Sequence, residues 1–248
     1  MADHRARSQA EAAHFDRLAE STAEIWWGSV TIAGKQRLRR RARMLAGELA
    51  ASADPLVLEL GCGVGAFSAP LLDERPALRL LGVDVSTRSI EIAAERLQRF
   101  ARARFEEADA LSLPYPADLF DAVVGNSVLH HLPLQPALSE ARRVLKPGGL
   151  LWFSEPNMLN PQIAVEKNIK PIGRWLQNTP DETAFFRWPL AAALRRAGFA
   201  RVAVRPFDFL HPALPALLMR PVDRLGRLLE RVPLLREITG SLLIEACK

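Results

Sequence analysis

The stretch VLELGCGVGAF at residues 57–67 joins an apolar run to a glycine-rich turn. Gly61, Gly63 and Ala66 fit the pattern G-x-G-x-x-G/A, which follows the first strand of dinucleotide-binding α/β folds. A carboxylate, Glu59, stands two residues before the first glycine. The stretch therefore predicts a buried strand and a tight turn against an adenosine-containing ligand. The glycines alone leave open whether that ligand contains a pyrophosphate.

Length and composition are those of a globular protein. The chain has 248 residues, 49% hydrophobic and 25% charged, with a formal net charge of +5, which suits one large α/β domain with a buried core. The polar N-terminus lacks the apolar region of a signal peptide, and no apolar stretch is long enough to span a bilayer. The two cysteines, Cys62 and Cys247, indicate neither a disulfide framework nor a metal site. We therefore expect a cytoplasmic protein.

From residue 56 onward, strand-like segments alternate with helix-like segments, which is typical of a parallel α/β sheet. The predicted strands are 56–60, 78–85, 102–109, 119–126, 149–156, 200–209 and 241–247. One intervening helix is predicted at 136–148, stopped by Pro147 and Gly148, with Ser86 or Thr87 near the start of an earlier one.

Two longer stretches, 157–187 and 210–240, interrupt this alternation. Both follow predicted strands at the carboxyl edge of the sheet, where ligands bind in open α/β folds. We expect them, together with an N-terminal helical cap segment at 1–50, to cover the site of a domain that spans 51–248.

The charge of Glu59 discriminates between two adenosine ligands. A pyrophosphate is anionic, so a carboxylate at the tip of the same strand would repel it. S-adenosylmethionine has no phosphate and carries a cationic ammonium and sulfonium, which Glu59 would favour. Asp84, about 20 residues past the glycines, suits ribose hydroxyls in either ligand, and Asp109 at a strand end suits the adenine amino group. The residues therefore favour S-adenosylmethionine.

Four motifs in order strengthen this interpretation: VLELGCGVG (57–65), GVDVS (82–86), ADALSLPYPADLFDAVVGNSVLHHL (108–132) and RVLKPGGLLWFSEPN (143–157). Over roughly residues 55–156 the chain resembles class I S-adenosylmethionine-dependent methyltransferases. The motifs are most similar to those of the ubiquinone/menaquinone methyltransferases and the small-molecule O-, N- and C-methyltransferases.

The resemblance implies a doubly wound, seven-stranded, mostly parallel Rossmann-like sheet whose last strand is antiparallel, with helical cap insertions. It also implies a set of cofactor-binding residues around the methionine, ribose and adenine parts of S-adenosylmethionine. These are Glu59, Gly61, Cys62 and Gly63 for the methionine part, Asp84 with Val85 for the ribose, Asp109 with Ala110 for the adenine, and Asn126 along the methionyl side. Cys62 is expected to be a small filler in the turn rather than a nucleophile.

Methyl transfer from a sulfonium requires mainly orientation and exclusion of water, and a base only when the acceptor carries a proton of high pKa. The candidate bases are His130 and His131, just past the fourth predicted strand, and Glu155 at the end of the fifth. His131 is slightly preferred because Pro133 follows closely. Packing or capping by a histidine and a plain polar strand end for Glu155 remain alternatives.

The acceptor is expected to be a small apolar or amphiphilic molecule. The chain reads NSVL at 126–129, where methyltransferases that act on exocyclic amines of nucleic acids carry N/D-P-P-Y/F. The basic run KQRLRRRAR (35–43) is interpreted as a helix with a solvated basic face rather than a nucleic-acid patch, because no aromatics interleave it. An RNA methyltransferase and a non-catalytic scaffold on the same fold remain the alternatives.

Two surfaces of the cap segments are open to more than one interpretation. Aromatic residues near Phe185 and Phe186, and Trp26 with Trp27, either line an acceptor pocket or pack on the core. Residues 214–236 place arginines along one helical face and leucines along the other. That amphipathic segment either docks on the sheet or contacts a membrane surface peripherally, over a lipid-like substrate. The oligomeric state is left open.

Overall fold

The computed structural model describes residues 12–13, 16, 31–169, 171 and 183–248. Within them, helices cover both faces of one sheet with the strand order β3-β2-β1-β4-β5-β7-β6. The elements are α1 (Ile32–Glu48), β1 (Leu56–Leu60), α2 (Ser68–Glu74), β2 (Arg79–Asp84), α3 (Thr87–Arg96), β3 (Ala103–Glu107), β4 (Phe120–Asn126), α4 (Leu134–Val144), β5 (Leu145–Pro156), α5 (Pro161–Asn168), α6 (Arg187–Arg196), β6 (Ala200–Phe207), α7 (Ala216–Leu229), α8 (Pro233–Arg236) and β7 (Ser241–Cys247). In this part of the chain no helix is long and apolar enough to cross a membrane.

The strand connections confirm the doubly wound fold. The pairs β1–β2, β2–β3, β1–β4 and β4–β5 are parallel, whereas β7 runs antiparallel between β5 and β6. Because β1 pairs with β2 on one side and β4 on the other, the chain order reverses there. Ligands of doubly wound sheets bind at the carboxyl edge beside such a reversal. All seven predicted strands are present, each within a few residues of its predicted bounds.

Buried apolar residues form a core on each face of the sheet. On one face Phe153 and Leu138 belong to the cluster under α4 and α6. On the other, Phe67 stacks on Trp152 at 5.9 Å between ring centroids, and Leu45 of α1 joins the same cluster. Helix α1 is therefore part of the core on this face of the sheet.

The prediction of a solvated basic face for residues 35–43 is wrong for much of the run. Arg41 is 4% exposed, and its guanidinium donates to Ser154 Oγ at 2.8 Å and lies 3.0 Å from Asp208. Arg40 donates to Glu230 at 2.8 Å. A buried charge is tolerated only when it is paired and hydrogen-bonded, so these arginines attach α1 to the sheet and to α7. Within the run, Lys35, Arg39 and Arg43 remain exposed.

Other predictions need smaller corrections. The helix predicted at 136–148 ends at Val144, because Leu145 is already extended and Lys146 forms a 2.7 Å ion pair with Asp121. Of the two predicted candidates, Ser86 and Thr87, it is Ser86 that caps α3, by accepting a hydrogen bond from the Ser89 amide. Trp26 and Trp27 lie outside the described residues.

Candidate functional site

The glycine-rich turn lies at the chain reversal of the sheet. Leu60 pairs with Val83 of β2 and with Gly125 of β4, so Gly61 follows where its neighbours are Asp84 and Asn126. The three predicted site residues therefore meet at the carboxyl edge although they are distant in sequence.

Glycine is needed at two positions of the turn for different structural reasons. Gly61 has φ of +63°, and a Cβ there would lie 2.5 Å from Val128 Cγ2. Gly63 has φ of +50°, but a Cβ there would meet nothing within 4 Å. Both dihedrals favour glycine. Gly61 is required by packing, whereas the open space over Gly63 is free for a ligand to approach the backbone.

Glu59 is a buried carboxyl at the tip of β1. It is 1% exposed and accepts a hydrogen bond from Ser68 Oγ at 2.6 Å. Burial raises the pKa of Glu59 to about 8, Ser68 opposes this shift, and the charge of Asp84 adds to it. A buried carboxyl with a raised pKa is poised to accept a cationic partner, because the cation would compensate the ionised form.

Asp84 both shapes the turn and offers acceptor oxygens. Its Oδ2 accepts from the Gly63 amide at 2.9 Å and its Oδ1 from the Ser86 amide at 3.0 Å. Burial raises the pKa of Asp84 despite these hydrogen bonds. Each carboxylate oxygen has two lone pairs, so capacity remains for ribose hydroxyls. The carboxylate of Asp16 lies beside the same strand end and accepts from Ser86 Oγ at 2.6 Å.

The predicted adenine residues lie beyond the end of β3. Asp109 accepts from the Leu111 amide at 2.8 Å through Oδ1, and Ala110 is buried. The Ala108 amide donates to the Asp84 carbonyl at 3.0 Å, which ties this loop to β2. Val85, in the next position along from Asp84, is half-buried.

Asn126 places an unpartnered polar atom at the candidate site. It ends β4, and its Oδ1 is buried with no hydrogen-bond partner among the described residues. An unsatisfied buried carbonyl oxygen costs about 1–3 kcal/mol. Such an acceptor at the edge where the glycine turn and Asp84 meet fits a ligand that carries hydrogen-bond donors.

The histidines and Glu155 form one connected group. His130 Nδ1 lies 2.7 Å from Glu155 Oε2, and His130 is 6% exposed. Glu155 Oε1 accepts from the amides of Val128 and Leu129 at 3.0 and 2.9 Å. The half-buried ring of His131 lies 4.1 Å from that of His130 between centroids. Glu155 therefore already holds the loop that follows β4 and orients His130.

Cys62 and the two phenylalanines of the predicted acceptor pocket differ in their burial. Cys62 is buried, and burial, followed by Glu59 and Asp84, raises the pKa of its thiol well above the ordinary value, which fits an inert filler. Phe185 packs against the core, whereas Phe186 is exposed.

Sequence reasoning missed Ser68, Val128 and Asp16. A serine on the apolar side of α2, nine residues after Glu59, is a weak signal for the first. The other two act across the fold, where spacing in the sequence gives no signal.

Comparisons with known proteins agree with this geometry. A family described as "Methyltransferase domain" matches residues 57–149. The chain is 33% identical over 162 residues to erythromycin 3''-O-methyltransferase of Saccharopolyspora erythraea, covering 60% of this chain and 52% of the relative. It is 32% identical over 176 residues to malonyl-[acyl-carrier protein] O-methyltransferase of Geobacter sulfurreducens, covering 68% and 65%. The chain thus spans between about half and two thirds of these relatives' lengths.

A solved structure shows the same fold. A SAM-dependent methyltransferase from Thermotoga maritima superimposes with a TM-score of 0.68 at 20% identity, covering 96% of this chain and 99% of that one. The matched domain contains the glycine turn, Glu59, Asp84, Asp109 and Asn126. The chain therefore carries a methyltransferase domain of the class I S-adenosylmethionine-dependent family.

Proposed function

We propose that the protein transfers a methyl group from S-adenosylmethionine to a small apolar or amphiphilic acceptor. The observation that carries the proposal is the meeting of Glu59, Asp84 and the unpartnered Asn126 Oδ1 at the chain reversal of the sheet. The name of one relative supports the acceptor class, since erythromycin, the acceptor in the name erythromycin 3''-O-methyltransferase, is a small molecule.

The described residues supply binding and orientation. Glu59 would accept hydrogen bonds from the ammonium of the methionine part, Asn126 Oδ1 would accept one from the same part, and Asp84 would accept hydrogen bonds from the ribose hydroxyls. When bound, S-adenosylmethionine supplies a methyl group on an already activated leaving group. The protein's share of the catalysis is then to hold the acceptor in line and to exclude water.

For a hydroxyl acceptor, we propose His130 as the base in preference to His131. Glu155 orients the His130 ring through Nδ1, and an imidazole held in a fixed orientation is the commonest general base in enzymes. The sequence-based preference for His131 stays a prediction, and the comparison of the two variants decides between them. We expect His130→Gln to lower kcat far more than His131→Gln. Equal losses would contradict the assignment.

The test of the function is turnover of methyl-labelled S-adenosylmethionine with a panel of phenols, sugars, quinols and carboxylic acids. Stabilisation by S-adenosylhomocysteine together with a labelled product supports the proposal. Binding without product across the panel would favour a scaffold, and stabilisation by NAD alone would refute the role of Glu59.

Internal ion pairs of the basic run argue against an RNA methyltransferase. Four basic residues of the 35–43 run form ion pairs with acidic residues of the same chain: Arg37, Arg40, Arg41 and Arg43. Arg37, Arg40 and Arg41 are not available for phosphates without breaking these mostly buried contacts. We also propose a cytoplasmic location, because Cys62 and Cys247 are free thiols and reducing compartments keep thiols in that state. Cell fractionation tests this.

A further inference from the structure

The connection between β6 and β7 presents an apolar strip to solvent. Its members are large apolar side chains on the outer side of α7 and α8, which we call the leucine strip: Leu217, Leu218, Leu225, Leu228 and Leu234. Leu217 is 88% exposed and Leu234 is 83% exposed. Contiguous exposed apolar patches on a folded protein mark interaction sites.

A row of arginines runs beside the leucine strip. Arg220, Arg224 and Arg231 follow one another at helical spacing, are exposed, and make no ion pair with any described residue. Arg227, which lies between Arg224 and Arg231, forms an ion pair with Asp223 at 2.6 Å. The outer side of α7 is therefore apolar along one half and positively charged along the other.

Contacts on the inner side of α7 fix this orientation. Gly226 is buried, and a Cβ there would lie 3.0 Å from Phe209 Cβ. Glu230, just past the helix end, accepts from Arg40 of α1 and from the Asp208 amide at 2.9 Å. The leucine strip faces outward because the opposite side of the helix is already bound to the protein.

The leucine strip lies at the same edge of the sheet as the candidate site. The connection leaves the carboxyl end of β6 at Phe207 and enters β7 at Ser241, which pairs with Pro156 at the carboxyl end of β5. Asn160 Nδ2 donates to the Ile238 carbonyl at 2.9 Å. A surface that binds α7 and α8 therefore approaches the edge that carries Glu155.

We propose that α7 and α8 bind the surface of an anionic lipid bilayer, with the leucine strip inserted at the acyl boundary and Arg220, Arg224 and Arg231 against the headgroups. Apolar and basic strips side by side are what an interfacial helix requires, because burial of apolar area and attraction to anionic lipid add. Charge complementarity selects this partner, because unpaired arginines beside the strip attract anionic headgroups, whereas a second copy of the chain would bring the same positive charge. The proposal does not depend on methyl transfer.

Vesicle sedimentation of the full chain tests the proposal. We expect binding to vesicles of phosphatidylcholine with phosphatidylglycerol, weaker binding to phosphatidylcholine alone, and loss of binding as salt rises. The double variant Leu217→Ser/Leu228→Ser should lose about tenfold in affinity for each leucine, whereas Leu217→Met/Leu228→Met should bind like the wild type. Thermal unfolding checks that these exposed substitutions leave the fold intact.

The charge contribution has a matched control at the opposite edge. Arg220→Gln/Arg224→Gln should lose about fivefold for each arginine. Arg195→Gln/Arg196→Gln removes the same charge from exposed positions at the end of α6, next to the amino end of β6, and should bind normally. No binding of the wild type to anionic vesicles would overturn the proposal. A dimer that the leucine-to-serine variant dissociates, without vesicle binding, would identify the strip as a contact between copies instead.

Discussion

Glu59→Gln is expected to stabilise the cofactor-free protein in a pH-dependent manner. Burial raises the pKa of the Glu59 carboxyl from 4.5 to about 8. Between these values the folded protein keeps a proton that the unfolded chain releases, so the free energy of unfolding falls by about 1.4 kcal/mol for each pH unit. The contribution of the protonated Glu59 carboxyl to the free energy of unfolding is fully present below pH 4.5 and is lost as the pH rises to about 8. The glutamine side chain does not titrate in this range, so the variant does not lose this contribution.

Between about pH 5 and about pH 9, the free energy of unfolding of Glu59→Gln should rise relative to that of the wild type by about 4 kcal/mol. Urea unfolding followed by circular dichroism at a series of pH values measures it. Glu95→Gln, at an exposed position of α3, is the matched control for the same chemical change away from the site. A difference for Glu59→Gln that does not change with pH would refute the reasoning.

The same substitution should weaken ligand binding. S-adenosylhomocysteine retains the ammonium that we assign to Glu59, so its stabilising effect on the unfolding midpoint should be smaller in Glu59→Gln than in the wild type. An equal shift of the unfolding midpoint in both proteins would show that the Glu59 carboxyl does not contribute to binding of S-adenosylhomocysteine.

Three further substitutions test the site and its support. Asp84→Ala should weaken binding of S-adenosylhomocysteine by about 1–3 kcal/mol, measured by calorimetry, because the ribose hydroxyls lose their acceptor; unchanged affinity would place the ribose elsewhere. Gly61→Ala should destabilise the fold by more than Gly63→Ala, since only the former meets Val128 in addition to about 1–2 kcal/mol of backbone strain. Gly63→Ala should instead weaken ligand binding, and comparable unfolding midpoints would contradict the packing argument. Arg41→Met should lower the free energy of unfolding by about 3–5 kcal/mol in urea, because a buried partner loses its charge compensation; a loss below about 1 kcal/mol would contradict it.

The sequence predicts the fold and the cofactor edge because both depend on local pattern. Alternation of apolar runs and helices sets the order of strands, and parallel strands bring their carboxyl ends together, so Glu59 and Asp84 meet without further information. Ser68 and Val128 act through packing between elements, which has no fixed spacing. The pairing of His130 with Glu155 spans 25 positions and depends on the register of β4 with β5.

The basic run shows where local pattern misleads. Charge alone favours solvent, and the prediction of a solvated face follows from that rule. The structure instead buries Arg41 because Asp208, Ser154 and Ser241 lie under α1. Burial by itself would raise the pKa of Asp208, yet Arg41 and Arg37 lower it. Tertiary partners far along the chain decide which arginines of the run are solvated.

The attachment of α1 has a consequence for synthesis of the chain. Arg41 is made early, but two of its partners, Asp208 and Ser241, leave the ribosome about 170 to 200 residues later. Until then the helix has an unpaired cation on its apolar side and cannot complete its burial. Contacts of such long sequence separation slow folding, and α1 cannot complete its attachment until the chain from Asp208 to Ser241 has been synthesised.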